Sequence, residues 1–224
     1  MEIADGIRLI PRVRGSNVYL VKGVEGITVV DTGLPGSAGK IVDYVESTGW
    51  HHSDVKTIVL THSDIDHAGS AARLREKTKA KVAVHEADAP RLSGEKQWKT
   101  VEGVFDLLFR AAGIVMRFNR LKADVLLKDS DVIDGLIVVH TPGHTEGSIC
   151  LYLPGRALFV GDALVSNHRR VLSLPRRSMS VDLNLAKGSI KKISQLDYSV
   201  LLPGHGPPIE QDALAIAREF VTRI

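Results

Sequence analysis

The apolar run Thr57-Ile58-Val59-Leu60 leads without a break into Thr61-His62-Ser63-Asp64-Ile65-Asp66-His67-Ala68-Gly69. The run reads as a buried strand and the segment after it as a loop, placed where a rigid sheet can aim side chains at one point. Alone, such a segment reads equally well as a solvated turn. Three further segments tip the balance: Thr141-Pro142-Gly143-His144, Gly161-Asp162 and Pro203-Gly204-His205-Gly206 each carry a His or Asp just past a predicted strand. The chain must therefore adopt a fold in which strand ends far apart in sequence meet.

The remaining patterning supplies such a fold. Ile7 to Arg12, Asn17 to Lys22 and Ile27 to Asp31 read as short strands of an opening meander, parted by Gly15-Ser16 and Gly23 to Gly26. A helix over Ser37 to Ser47 is predicted from Ile41, Tyr44 and Val45, with Gly49 as its stop. Helix Ala71 to Lys77 and strand Lys81 to His85 continue a β/α alternation. Later come the Asp134-Gly135 turn, strands Leu136 to His140, Ser148 to Leu153 and Ala157 to Val160, helix Leu183 to Leu196, strand Ser199 to Leu202 and helix Ile209 to Arg223. Two sets of strands, each with helices, suggest two sheets face to face with helices outside. Residues 87–122 break the rhythm, with Trp98, Val101, Val104, Phe105, Leu108 and Phe109 at helical spacing. They read as a helical insertion, either packed on the sheet, capping an active site or forming a homodimer contact.

A length of 224 residues with 44% hydrophobic and 25% charged residues suits one globular domain spanning 1–224. No apolar run approaches the ~20 residues of a membrane span, and Met1 to Gly6 lack the start of a secretion signal, so a cytoplasmic location is expected. Cys150 is the only cysteine, which excludes an internal disulfide and a thiolate cluster, and it sits where a small core residue would. A net charge of +3 from 29 basic and 26 acidic residues is a mixed surface, so nucleic acid is not the expected partner.

His62, Asp64, Asp66, His67, His144, Asp162 and His205 form the donor set that borderline and hard divalent ions take, and seven groups suit two ions better than one. Two ions ~3.5–4 Å apart acidify a shared water, so no serine or cysteine nucleophile is needed.

The order His62-x-Asp64-x-Asp66-His67, then His144, Asp162 and His205, resembles the metallo-β-lactamase superfamily from Asp31-Thr32-Gly33 to the terminal helix, and is most similar to small glyoxalase II-like hydrolases. The resemblance implies an α/β fold, the αββα four-layer sandwich. It implies two divalent metal ions, zinc foremost: one held by His62, Asp64 and His144, the other by Asp66, His67 and His205, with Asp162 bridging. It further implies a bridging hydroxide that attacks a small ester-like substrate (thioester, lactone, β-lactam or phosphoester), oriented by a catalytic Asp66. Asp31 would hydrogen-bond a ligand histidine, with a plain turn role equally open.

Two departures stand out. The family's usual second ligand is histidine, and here it is Asp64, a harder donor that brings iron or manganese beside zinc. The flavodiiron branch carries a carboxylate there, which opens a diiron redox protein with a separate electron partner as the alternative. The chain also lacks the extra helical domain of glyoxalase II, so glutathione specificity is not expected. His168, Arg169 and Arg170, with Arg176 and Arg177, follow Asp162 closely and are candidates for binding a substrate carboxylate or phosphate, although an exposed basic loop is the plainer reading. His51 and His52 read as surface residues, and His85 and His140 as structural residues or as ones that hydrogen-bond the ligands from behind.

Overall fold

The computed structural model describes residues 1–96 and 119–224. The apolar stripe from Trp98 to Phe109 therefore lies outside the described residues. Seven strands form the first sheet in sequence order: β1 (Glu2–Ala4), β2 (Ile7–Leu9), β3 (Tyr19–Lys22), β4 (Ile27–Val30), β5 (Val55–Val59), β6 (Lys81–His85) and β7 (Val125–Leu127). The first four pair antiparallel, while β4 through β7 pair parallel. The second sheet is ordered β14 (Val200–Pro203), β11 (Ala157–Gly161), β10 (Ile149–Leu153), β9 (Leu136–His140), β8 (Val132–Ile133), and a small hairpin joins β12 (Val165–Ser166) to β13 (Leu172–Ser173).

Alternation along the strands builds the layers, because successive side chains leave opposite faces. In β6, Ala83 enters the apolar cluster between the sheets, while Val82 and Val84 enter the cluster on the first sheet's outer face. Helices α1 (Ala38–Ser47) and α3 (Ala71–Thr78) contribute Ile41, Val45 and Leu74 to that outer cluster. In β11, Ala157 and Phe159 turn inward, and Leu158 and Val160 turn out to meet Ile190, Ile193 and Ala217 of α5 (Leu183–Ile193) and α6 (Ala213–Val221). Three clusters separating four layers make the αββα sandwich. Cys150 is fully buried in the outer cluster of the second sheet, in the packing role expected of it. Two further short helices are α2 (Ile65–Ala68) and α4 (Ala89–Ser93).

Strand direction places the site. β9 and β11 are both antiparallel to β10, and β14 is parallel to β11, so β9, β11 and β14 all run the same way. Their C-terminal ends meet those of β4, β5 and β6 at one edge, where Ile149 N donates to Thr61 O at 2.9 Å and Asn17 N to Gly204 O at 2.7 Å.

The last helix begins four residues later than its apolar pattern suggests. Ile209 pairs with Leu201 as an isolated bridge, and Asp212 takes a left-handed φ of 53°, so the chain turns before it coils. The helix expected to reach Leu196 ends at Ile193. Among the described residues, no helix is long and apolar enough to cross a membrane.

Candidate metal centre

All seven donor residues arrive at this edge. Three overlapping groups have ligand atoms within 4.8 Å of one another: His62, Asp64 and His144; His62, His67 and Asp162; and Asp66, His67 and His205. His144 Nε2 is 3.1 Å from Asp64 Oδ2 and 3.5 Å from Asp162 Oδ2. His205 Nε2 is 3.2 Å from Asp66 Oδ2 and 3.4 Å from Asp162 Oδ2, and His67 Nε2 is 3.2 Å from Asp162 Oδ1.

These spacings fit a metal. Ligand atoms ~2.0–2.1 Å from a tetrahedral ion lie roughly 3.3–3.4 Å from each other, close to the separations here. Hydrogen-bond logic adds a second reason. Asp31 Oδ2 can only accept, so the 2.8 Å contact to His67 Nδ1 puts a proton on Nδ1 and makes Nε2 the nitrogen available to a metal, which would displace any proton there. Thr61 Oγ1 donates to Asp31 and lies 3.0 Å from His62 Nδ1, so it accepts from that ring and fixes the same tautomer. His62 Nε2 is then a buried nitrogen with no hydrogen-bond partner, aimed at the carboxylates. Such second-layer bonds orient metal-binding imidazoles. Asp31 therefore does hydrogen-bond one of the histidines, and does so from a left-handed backbone at φ 61°.

The electrostatics favour positive charge between the rings. At His62, burial and the neighbouring His67 push the ring well below the ordinary imidazole range. Burial pulls His67 the same way, but Asp162, Asp31 and Asp66 outweigh it and hold that ring well above. At His205 burial is likewise overcome, by hydrogen bonds to Asp162 and Asp66, and the pKa rises to about 9. Burial would protonate Asp162, yet His67 and the bond to His205 keep it well below the ordinary carboxylate range.

Local structure delivers these groups. The pairing of β11 with β14 shifts register between Phe159 and Gly161, just before Asp162. Gly161 has a φ of 47°, and a Cβ there would lie 2.7 Å from Thr61 Oγ1. On the facing loop, a Cβ at Gly204 would lie 2.6 Å from both Asp162 Oδ1 and His67 Cε1. Gly204→Ala is thus expected to lose about 1–3 kcal/mol of stability by overpacking and to retain less metal, as read by thermal melting and elemental analysis. Unchanged melting and metal content would mean that the loop yields instead.

The loop is held by Asn17, whose Nδ2 donates to Pro203 O at 2.9 Å and Gly206 O at 2.7 Å, on either side of His205. Sequence reading missed Asn17, Thr61 and Asp88. Asp88 is fully buried just past β6 and accepts from Ser63 N, Thr145 Oγ1 and Gly147 N. Its signal was its position, an acid just past a strand end. The candidate substrate residues His168, Arg169 and Arg170 are exposed on the turn between β12 and β13, with Arg170 3.6 Å from Glu210. His85 and His140 stack at 4.1 Å, where β6 and β9 end. His52 begins a short helical turn that His51 caps, with His51 exposed and His52 half-buried.

Residues 11–205 match the family model of the metallo-beta-lactamase superfamily. The chain belongs to that superfamily and is a metal-dependent hydrolase. Among curated relatives it is 28% identical over 234 residues to "Probable metallo-hydrolase YflN" of Bacillus subtilis, covering 93% of this chain and 86% of that one. It is 29% identical over 209 residues to "Acyl-coenzyme A thioesterase MBLAC2" of Homo sapiens, covering 85% and 72%. The solved structure of TTHA1623 in a di-iron-bound form superposes with a TM-score of 0.73 at 28% identity, covering 93% of this chain and 95% of that one. Proteins of this fold carry two metal ions.

Proposed function

We propose that the chain is a binuclear hydrolase of small ester-like substrates, with thioesters first and lactones, β-lactams and phosphoesters after them. His62, Asp64 and His144 hold one ion, Asp66, His67 and His205 the other, and Asp162 reaches both. The observation that carries this reading is the set of 3.1–3.5 Å donor separations around Asp162, Asp64 and Asp66. A bound pair of divalent ions supplies Lewis acidity and brings the pKa of a water toward ~7.

The chain's own groups do the rest. Side-chain exposure is 31% at His205 and 29% at Asp66, against 0% at His67, 2% at His144 and 9% at Asp162. This supports substrate entry on the Asp66 and His205 side, with Asp66 orienting the attacking water. Ser166 N donates to His205 O at 3.1 Å, so the β12–β13 hairpin starts beside this opening and carries His168 and Arg169 as candidates for an acidic substrate group. The thioester preference is supported by the name of the human relative.

Asp64 and the di-iron form of TTHA1623 favour a second reading for the metal, iron in place of zinc, with a redox role if an electron partner exists. Elemental analysis of fresh protein, beside assays on each substrate class, separates the two. About two zinc ions per chain, with hydrolysis falling at least ~100-fold on chelation and returning with metal, is the expected result. Hydrolysis that survives exhaustive chelation overturns the proposal, and iron with a reversible spectral change but no hydrolysis favours the redox reading.

A further inference from the structure

Asp88 has no donor atom in the seven-residue centre, yet it is fully buried and its two oxygens meet four donors from three segments. Oδ2 accepts from Ser63 N at 2.8 Å and Thr145 Oγ1 at 3.0 Å; Oδ1 accepts from Gly147 N at 2.9 Å and faces Arg91 Nη1 at 3.5 Å. Ser63 stands between His62 and Asp64, and Thr145 follows His144 directly. One carboxylate thus ties the loop after β5 to the loop after β9. The fit is close, since a Cβ on Gly147 would come within 2.6 Å of Asp88 N and 2.7 Å of its Oδ1. A buried carboxylate is costly unless its lone pairs are filled, so holding these donors in place is what this one does.

Its reach is selective. Every ligand residue next to its partners belongs to the triad His62, Asp64 and His144, and none to Asp66, His67 and His205. Asp31 holds His67 of the other triad directly and reaches His62 only through Thr61. We infer that Asp88 is a positioning residue for the first metal position alone, setting the separation of its two loops. The inference rests on the two-ion reading given above.

The test is a stepwise chelator titration of metal-loaded protein, with His144→Ala and His205→Ala marking which step belongs to which position. Wild-type protein must first show two ions per chain; if it does not, the two-ion reading fails rather than this inference. Asp88→Asn keeps the shape but turns an amide N–H toward a backbone donor. It is expected to weaken the step lost in His144→Ala by about 10–100-fold, the range for residues that support metal ligands, and to leave the other step unchanged. Thr145→Val, which removes one of the four donors, should weaken the same step to a smaller degree. A purely structural role would lower the melting temperature without separating the two steps. Wild-type affinities at both steps in Asp88→Asn, or equal weakening of both, overturn the inference. Should Asp88→Asn fail to fold, Thr145→Val decides: selective weakening supports the inference, and no change or equal weakening overturns it.

Discussion

Replacing Asp162 by alanine is expected to bring the metal content from about two ions per chain to below one, and to lower hydrolysis by at least about 10²–10³-fold, the loss typical when one electrostatic contributor leaves an active site. Its carboxylate faces His67 through Oδ1 at 3.2 Å, and His144 and His205 through Oδ2 at 3.5 and 3.4 Å. It therefore faces a histidine of each triad, and each position loses a donor together with the negative charge that offsets two cations at close range. The variant should still fold, because the carboxylate lies at the edge of the sandwich and outside its three apolar clusters. Elemental analysis and circular dichroism check both parts. Two retained ions would contradict the assignment of Asp162 to both positions.

The second large effect is expected at Asp31. Its oxygens accept from His67 Nδ1 at 2.8 Å, Thr61 N at 2.9 Å and Thr61 Oγ1, and through that hydroxyl they fix the ring of His62 as well. Asp31→Ala frees two imidazoles to rotate or change tautomer, which should weaken metal binding by about 10–100-fold. It also strands buried donors, at a cost of about 3–5 kcal/mol if His67 is left charged. Chelator competition reads the first loss and thermal melting the second. If affinity stays at the wild-type level, Asp31 serves only the turn it occupies.

The seven donors were legible in the sequence because each is a polar residue just past a run with strand periodicity. Lys81 to His85 shows the strength of that signal, since the predicted strand and β6 share both ends. The signal fails where an element is too short to show a period, as in β1, β8, β12 and β13, which have two or three residues each. Asp88 and Thr61 also lie just past strands, yet their role was not legible from that position. They hydrogen-bond backbone amides and ring nitrogens, and no spacing of residue types encodes such a partner. For His168, Arg169 and Arg170, nearness to Asp162 in sequence suggested nearness in space. They sit on the exposed turn of the β12–β13 hairpin, where Glu210 faces Arg170.

Each triad draws two residues from the segment 62–67, which follows a strand of the first sheet, and one from a loop of the second, His144 or His205. In the reading proposed here, a bound ion is a tether between the N-terminal and C-terminal halves of a chain whose lone cysteine rules out an internal disulfide. Such a tether is set by the supply of free metal rather than by covalent chemistry. A ligand at a hundred times its dissociation constant adds about 2.7 kcal/mol to the folded state. The lifetime of this protein in a cell would then follow the cell's metal economy, with scarcity first loosening the seam between the halves.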